Sequence, residues 1–276
     1  MKSRLLTLLL ALLATVSAYA QGEWYVNAQT GSNAGAGTEA SPYATIQRAI
    51  DEAANGDYIY LRGNTAFAGA NDVDVNVTID AGGRTINSAF TLAGANRTFT
   101  IDGATFEIPD GASAIGGISN GAVVTVSNST FNAGTYLTTT GLGWGDLVVS
   151  HCTFNGTGMD YGLKVDGVST NVLVTENRFN SFEDDAMIVT GACGRTVVTY
   201  NEFDGNNASQ GADFAALNMS LGSVTDTVTV TNNLFKDGAT DNYNCIRVDG
   251  NIATKVISIT DNGFAAVRTE IGRAHV

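Results

Sequence analysis

Five aspartates and two cations carry most of the chemistry in this sequence. Four short segments end on Gly167, Gly191, Gly222 and Gly250. Just ahead of them lie Asp160, then Glu183, Asp184 and Asp185, then Asp213, then Asp241. Within the segments, Leu163 and Val165, Met187 and Val189, Leu217 and Met219, and Ile246 and Val248 take alternate positions. The rung before Gly222 carries one extra residue. Alternation turns these apolar residues to one side. It turns Lys164 and Asp166, Ile188 and Thr190, Asn218 and Ser220, and Arg247 and Asp249 to the other. If the segments stack in parallel, the acids line one edge of a groove, with Lys164 and Arg247 beside it. Hydrolysis of a glycosidic bond uses two flanking carboxylates, and Asp184, Asp185 and Asp213 could supply them. The same residues also read as the solvated outer face and loop acids of an acidic exported chain.

Other reactive groups are scarce. Of two histidines, His151 reads as a turn residue and His275 lies at the extreme end. No spacing suggests a nucleophile with a histidine placed by a third group. The stretch Gly141-Leu142-Gly143-Trp144-Gly145 lacks the Lys-Ser/Thr and helix of a phosphate loop. The three cysteines, Cys152, Cys193 and Cys245, fall in different segments and show no metal spacing. Cys152 reads as a core or turn-column residue. Sequons at Asn76, Asn96, Asn128, Asn155, Asn207 and Asn218 arise readily in a chain this rich in Asn, Thr and Ser.

Residues 1–20 read as a signal peptide. Lys2 and Arg4 precede an apolar run from Leu5 to Val16, and Ala18-Tyr19-Ala20 forms the cleavage site. The run is too short to span a bilayer. Removing it leaves 12 basic against 27 acidic residues, a net charge of −15. That balance argues against nucleic acid, which needs basic stripes, and against anionic lipid. An acidic polysaccharide could bind only locally or through a bridging cation. The mature chain is expected to be secreted or at the cell surface, without membrane insertion.

The elements that would hold the acids come from a repeat. Phe106, Phe131, Phe154, Phe179, Phe203, Phe235 and Phe264 follow one another at 25, 23, 25, 24, 32 and 29 residues. Five residues before each comes Ile101, Val126, Val149, Val174, Val198, Val230 or Ile259, all apolar and β-branched. Seven before come Phe99, Val124, Leu147, Val172, Thr196, Val228 and Ile257. Two before come Ala104, Ser129, Cys152, Asn177, Asn201, Asn233 and Asn262. A column of inward Val and Ile is buried only when coils stack. Asn at the tight turn is expected to take left-handed geometry and bond its neighbours. The pattern predicts an all-β solenoid over residues 62–269.

The entry, residues 21–61, reads differently. Trp24-Tyr25-Val26 looks like a short strand. Ser41-Pro42 reads as N-cap and first position of a helix, and Ile46, Ala49, Ile50 and Ala53 give its apolar stripe. Alternation returns over residues 57–61. The segment WYVNAQTGSNAGAGTEASPYATIQRAIDEAANGDYIYL resembles the entry of the right-handed parallel β-helix proteins, the pectate-lyase-like superfamily. The resemblance implies a right-handed parallel β-helix with an N-terminal capping helix closing the first coil. It runs from Trp24 to about Phe264 and is specific for fold more than for activity.

The resemblance also implies a range of functions. Polysaccharide lyases of the superfamily hold Ca²⁺ on carboxylates and abstract a sugar proton with Lys or Arg. Carried over, Asp160, Asp184, Asp185, Asp213 and Asp241 would hold Ca²⁺, with Lys164 or Arg247 as base. Acids beside Lys164 work against that role, since a base lysine is better made by burial or nearby cations. The polygalacturonase phrases Gly-His-Gly and Arg-Ile-Lys are missing. The leading expectation is an exported solenoid that binds or processes polysaccharide or a cell-surface glycan along a lateral face. A non-catalytic adhesin or envelope module is the alternative, and a Ca²⁺-dependent lyase the third. Outward stacked aromatics would mark a sugar site, with Tyr136, Trp144, Tyr161 and Tyr243 as candidates. Residues 270–276 contain IGRAHV, which matches a translated sequencing-adapter read. They are expected to be foreign to a natural chain that continues further.

Overall fold

The structure, a computed structural model, describes residues 21–108, 112–118, 120–132, 134–139, 143–166, 168–190, 193–205, 215–220, 227–236, 244–250 and 256–265. These form a parallel β-helix. Its first face is a ten-stranded sheet that starts with Glu23–Asn27 and Asp57–Arg62 and ends with Val256–Thr260. Its second face is an eight-stranded sheet from Thr85–Ile86 to Gly263–Ala265. The third face begins as three strands, from Asn71–Val73 to Ile115–Ile118, and continues as five, from Leu137–Thr138 to Ile246–Asp249. A parallel bridge from Ser113 to Tyr136 joins the two parts.

Register is fixed from inside. Phe106, Phe131, Phe154, Phe179, Phe203, Phe235 and Phe264 each pair with the next. Their ring centroids are 5.0, 4.3, 4.8, 4.9, 4.8 and 5.4 Å apart along the stack. These match the roughly 4.8 Å spacing of hydrogen-bonded strands, so each phenyl ring lies on the one below in an offset stack. The columns through Val174 and Val172 hold the register read from the sequence. Most of these side chains are fully buried. Ile259 and Phe264 continue the columns at the last described coil, where both are exposed.

The corner between the first and second faces is held by an asparagine column. Asn177 Nδ2 donates to Asn201 Oδ1 at 3.0 Å, and Asn201 to Asn233 and Asn233 to Asn262 likewise at 3.0 Å. Asn201 also donates to the Val174 carbonyl at 2.9 Å, and its Oδ1 accepts the Asn177 backbone N–H at 3.0 Å. Each amide thereby satisfies buried backbone groups of two coils. Cys152 takes the same place one coil earlier; its N–H donates to Asn177 at 2.9 Å. Burial pushes its thiol up to about 12. All three cysteines are free.

The left-handed residue at this corner is not the column asparagine, as expected, but the residue before it. Gly103, Asn128, His151, Glu176, Tyr200, Asn232 and Asp261 have φ between 50° and 67°. The physical reason is direction. The strained residue turns the chain out to solvent, and the next side chain can then point in along the column. Non-glycine residues in that region are strained by about 1–3 kcal/mol each, which the buried amide bonds offset.

The N-terminal cap differs from expectation in its start. The helix, α1, spans Ile46–Glu52 with Thr45 as N-cap, its hydroxyl accepting from Arg48. Ser41-Pro42 does not open it, because Tyr43 is drawn into parallel pairing with Val26. The Tyr43 N–H donates to the Tyr25 carbonyl at 2.8 Å, and the ring is buried. Ile46, Ala49 and Ile50 then close the first coil. The Gln47 side chain accepts from Asp72 N–H at 2.6 Å and donates to its carbonyl at 3.2 Å. It thus covers the open edge of the third face, the job a cap must do. Asp57 ties strand to cap, accepting from Gly22 N–H, Trp24 Nε1 and Ala54 N–H at 2.7, 2.9 and 2.9 Å. Burial works to raise its carboxyl, but these bonds outweigh it and hold the group low.

Asn201→Ala strips buried donors and acceptors from three coils and should lower stability by about 2–4 kcal/mol. Asn155, exposed on the second face, also bonds a neighbour, its Nδ2 donating to Asn132 at 2.7 Å. Asn155→Ala should stay within about 0.5 kcal/mol of the parent. Urea unfolding of the two variants checks this. Equal losses would mean that burial of the amide is not what matters.

Candidate functional site

The predicted groove residues lie on the third face in the expected register. Leu163, Met187, Leu217 and Ile246 stack inward, and so do Val165, Val189, Met219 and Val248. Lys164, Ile188, Asn218 and Arg247 form the outward column. Three strand steps of about 4.8 Å put Lys164 and Arg247 roughly 14 Å apart. One scissile bond cannot be served by both.

Each cation has its own carboxylate two positions on. Lys164 Nζ lies 3.1 Å from Asp166 Oδ2, and Arg247 lies 2.7 Å from Asp249. Lys164 also sits 5.6 Å from the centre of the Tyr161 ring. Tyr161 meets Tyr136 edge to face with centroids 5.0 Å apart. Burial, then its contacts with Tyr136, push the Tyr161 hydroxyl up to about 12. It therefore remains a hydrogen-bond donor throughout the physiological range. Two tyrosines, an ammonium and a carboxylate thus stand together where the chain enters the third face. Tyr243 and the Trp144 side chain lie outside the described residues.

The three described aspartates differ in setting. Asp160 is exposed and Asp184 half-buried, while Asp185 is buried. Asp185 Oδ1 accepts from Ala215 N–H at 2.7 Å, and Oδ2 accepts from Asn218 Nδ2 at 3.2 Å. Its own N–H donates to the Asp160 carbonyl at 2.9 Å. The carboxylate therefore pins the start of the next coil's strand. Asp213 and Asp241 lie outside the described residues. Among the described residues no three acids, histidines or cysteines are placed to hold a metal. Calcium asks for several converging oxygens, which Asp160, Asp184 and Asp185 do not supply by themselves.

Burial, followed by the charge of Asp184, pushes the Asp185 carboxyl up to about 6 against the hydrogen bonds from Ala215 and Asn218 and the pull of Arg247. His151, as expected, is an exposed turn residue, 2.5 Å from the Glu176 carboxylate.

The first face carries features the sequence reading passed over. Val148, Leu173 and Val197 point outward in one column. With Asp146, Asn171, Arg195, Leu147 and Val172 they line a groove of about 300 Å³. The signal was present in Leu173, an apolar residue between the inward Val172 and Val174. Nearer the cap, Tyr25, Tyr60 and Tyr58 form an outward row with centroids 5.1 and 6.3 Å apart. Arg62 covers that row, 5.5 Å from the Tyr25 ring and 5.1 Å from the Tyr60 ring.

No family model matches the chain, and no curated protein matches it. Among solved structures it is similar to GH136 lacto-N-biosidase from Eubacterium ramulus, in a selenomethionine derivative and in the native protein. The first aligns at 10% identity with a TM-score of 0.37, the second at 9% and 0.32. Each alignment covers 89% of this chain and 68% of the other. The functional reading therefore rests on the outer faces themselves.

The Asp185 carboxyl titrates higher in the folded chain than the roughly 3.9 of a free aspartate. Between these values the folded state holds more protons, so this group's contribution makes stability fall as pH rises from about 4 to about 6. In Asp185→Asn that contribution is removed. Urea unfolding across this range should show a more favourable slope with rising pH than in the parent. Identical slopes would show that Asp185 does not titrate there.

Proposed function

We propose that the protein is an exported solenoid that binds glycan on its third face. The observation that carries this is the cluster of Tyr136, Tyr161, Lys164 and Asp166 at the outer edge of that face. A sugar ring has an apolar C–H side and a rim of hydroxyls. Tyrosine offers both an apolar body and a donor, and an ion pair offers donors and acceptors to the rim. Thr138, from the same outward column, extends the polar surface one coil toward the cap, and Ile188 follows Lys164 on the other side. The acidic balance of the chain favours neutral glycans over anionic ones. Both cations are already committed to carboxylates, which suits holding hydroxyls more than taking a proton from carbon. Export is supported by the leader-like residues 1–20. Among the described residues no helix is long and apolar enough to cross a membrane.

Affinity electrophoresis through gels loaded with neutral and acidic polysaccharides tests the reading. At least one neutral polymer should retard the purified protein. Tyr161→Ala and Lys164→Ala should each weaken retardation about tenfold, equivalent to about 1.4 kcal/mol. Retardation by none of the polymers would remove glycan binding and leave a scaffold. Unsaturated uronate ends appearing only with added Ca²⁺ would replace it by a lyase.

A further inference from the structure

Outward positions of a water-facing sheet are ordinarily polar. Three consecutive coils of the first face break that rule in one column, where Val148, Leu173 and Val197 lie half-buried in register. The column beside them reads Asp146, Asn171, Arg195 in the same three coils. Asn171 Nδ2 donates to Asp146 at 2.7 Å. Arg195 is exposed, and among the described residues it has no ion-pair partner. The patch thus runs from an anion through a neutral amide to a cation, with Leu173 beside its centre.

That order is its own complement. Let a second copy be turned by half a turn about an axis along the strand direction, lying over the coil of Leu173. Positions along each strand are kept and the order of coils is reversed. Asp146 then faces the partner's Arg195, Val148 faces the partner's Val197, and Asn171 and Leu173 face their own counterparts. We propose that the first face is an isologous homodimer interface, with the two solenoids antiparallel and packed sheet on sheet.

Charge supports this occupant over others. The chain as a whole carries −13, which opposes self-association through most surfaces. On this face the seven coils centred on the patch are sparsely charged. In the segments 98–102, 123–127, 146–150, 171–175, 195–199, 227–231 and 256–260, the charged residues are Asp102, Asp146 and Arg195. Under the same operation Asp102 meets the partner's Thr260, so within these segments no like charges are opposed; Glu176, at the corner that follows Thr175, lies outside the strip. The exchanged Asp146–Arg195 pairs flank an apolar strip that excludes water, where such pairs fix orientation and register.

Sedimentation velocity on a dilution series of the purified chain tests the proposal. The parent should show a concentration-dependent dimer. Asp146→Arg and Arg195→Asp each bring like charges face to face and should weaken it at least tenfold. The double variant restores opposite charges and should recover the dimer. Circular dichroism of all four proteins confirms that they fold. A parent that stays monomeric at every concentration overturns the proposal. So do single variants that dimerise like the parent, or a double variant no stronger than the singles.

Discussion

The structure depends on cross-coil register held from within. Stacked phenylalanines, aliphatic columns and the asparagine column each fix which residue lies above which. A slip by one residue would turn every inward Val and Phe to water. A slip by two would break the amide chain at the corner and leave buried backbone groups unpaired. Hydrophobic burial sets the face, and the asparagines set the position along it. Neither alone gives a single register.

The same constraint orders the surface. Once the inner columns are locked, outward side chains must also stand in columns about 4.8 Å apart. Inner and outer columns answer to different pressures. Packing leaves little choice among Val, Ile, Leu and Phe inside. Outside, the coil tolerates Lys164, Ile188, Asn218 and Arg247 in a single row. Function in such a fold is therefore written as departures from the expected outer chemistry. Here those are a tyrosine–lysine cluster on the third face and an aliphatic strip on the first.

Much of the interior was legible in the sequence because residue types recur at fixed offsets from each Phe. Even the extra residue before Gly222 could be placed, since Leu217 and Met219 had to face inward. What was not legible depended on neighbours distant in sequence. Thr45 rather than Ser41 caps α1 because Tyr43 pairs with Val26. Asp185 looked like one of several loop acids, yet it is buried because the next coil supplies Ala215 and Asn218 as donors. The left-handed corner sits one residue earlier than composition suggested, because only then can the asparagine point along the column. The aliphatic strip was hidden for another reason. In Leu147-Val148-Val149 and Val172-Leu173-Val174, inward and outward residues are equally apolar, so the strip shows only once the offsets from Phe154 and Phe179 have fixed which residues face inward.

The two surface features occupy different faces, and this bears on how they act together. A dimer through the first face leaves the third face of each copy open. The two-fold axis runs along the strand direction, so it does not reverse that direction. Both third faces therefore open on the same side of the pair, with their Tyr136–Tyr161 clusters pointing opposite ways along the solenoid axes. A polymer lying across that side meets two equivalent sites related by the dyad. Under the proposed glycan reading each site is a small cluster of four side chains. Joining two multiplies retention on a long chain and changes it little on a short oligosaccharide, because only the long chain spans both. On this arrangement, length of ligand rather than identity of a single sugar becomes the main discriminator, as suits a protein whose faces repeat at every coil.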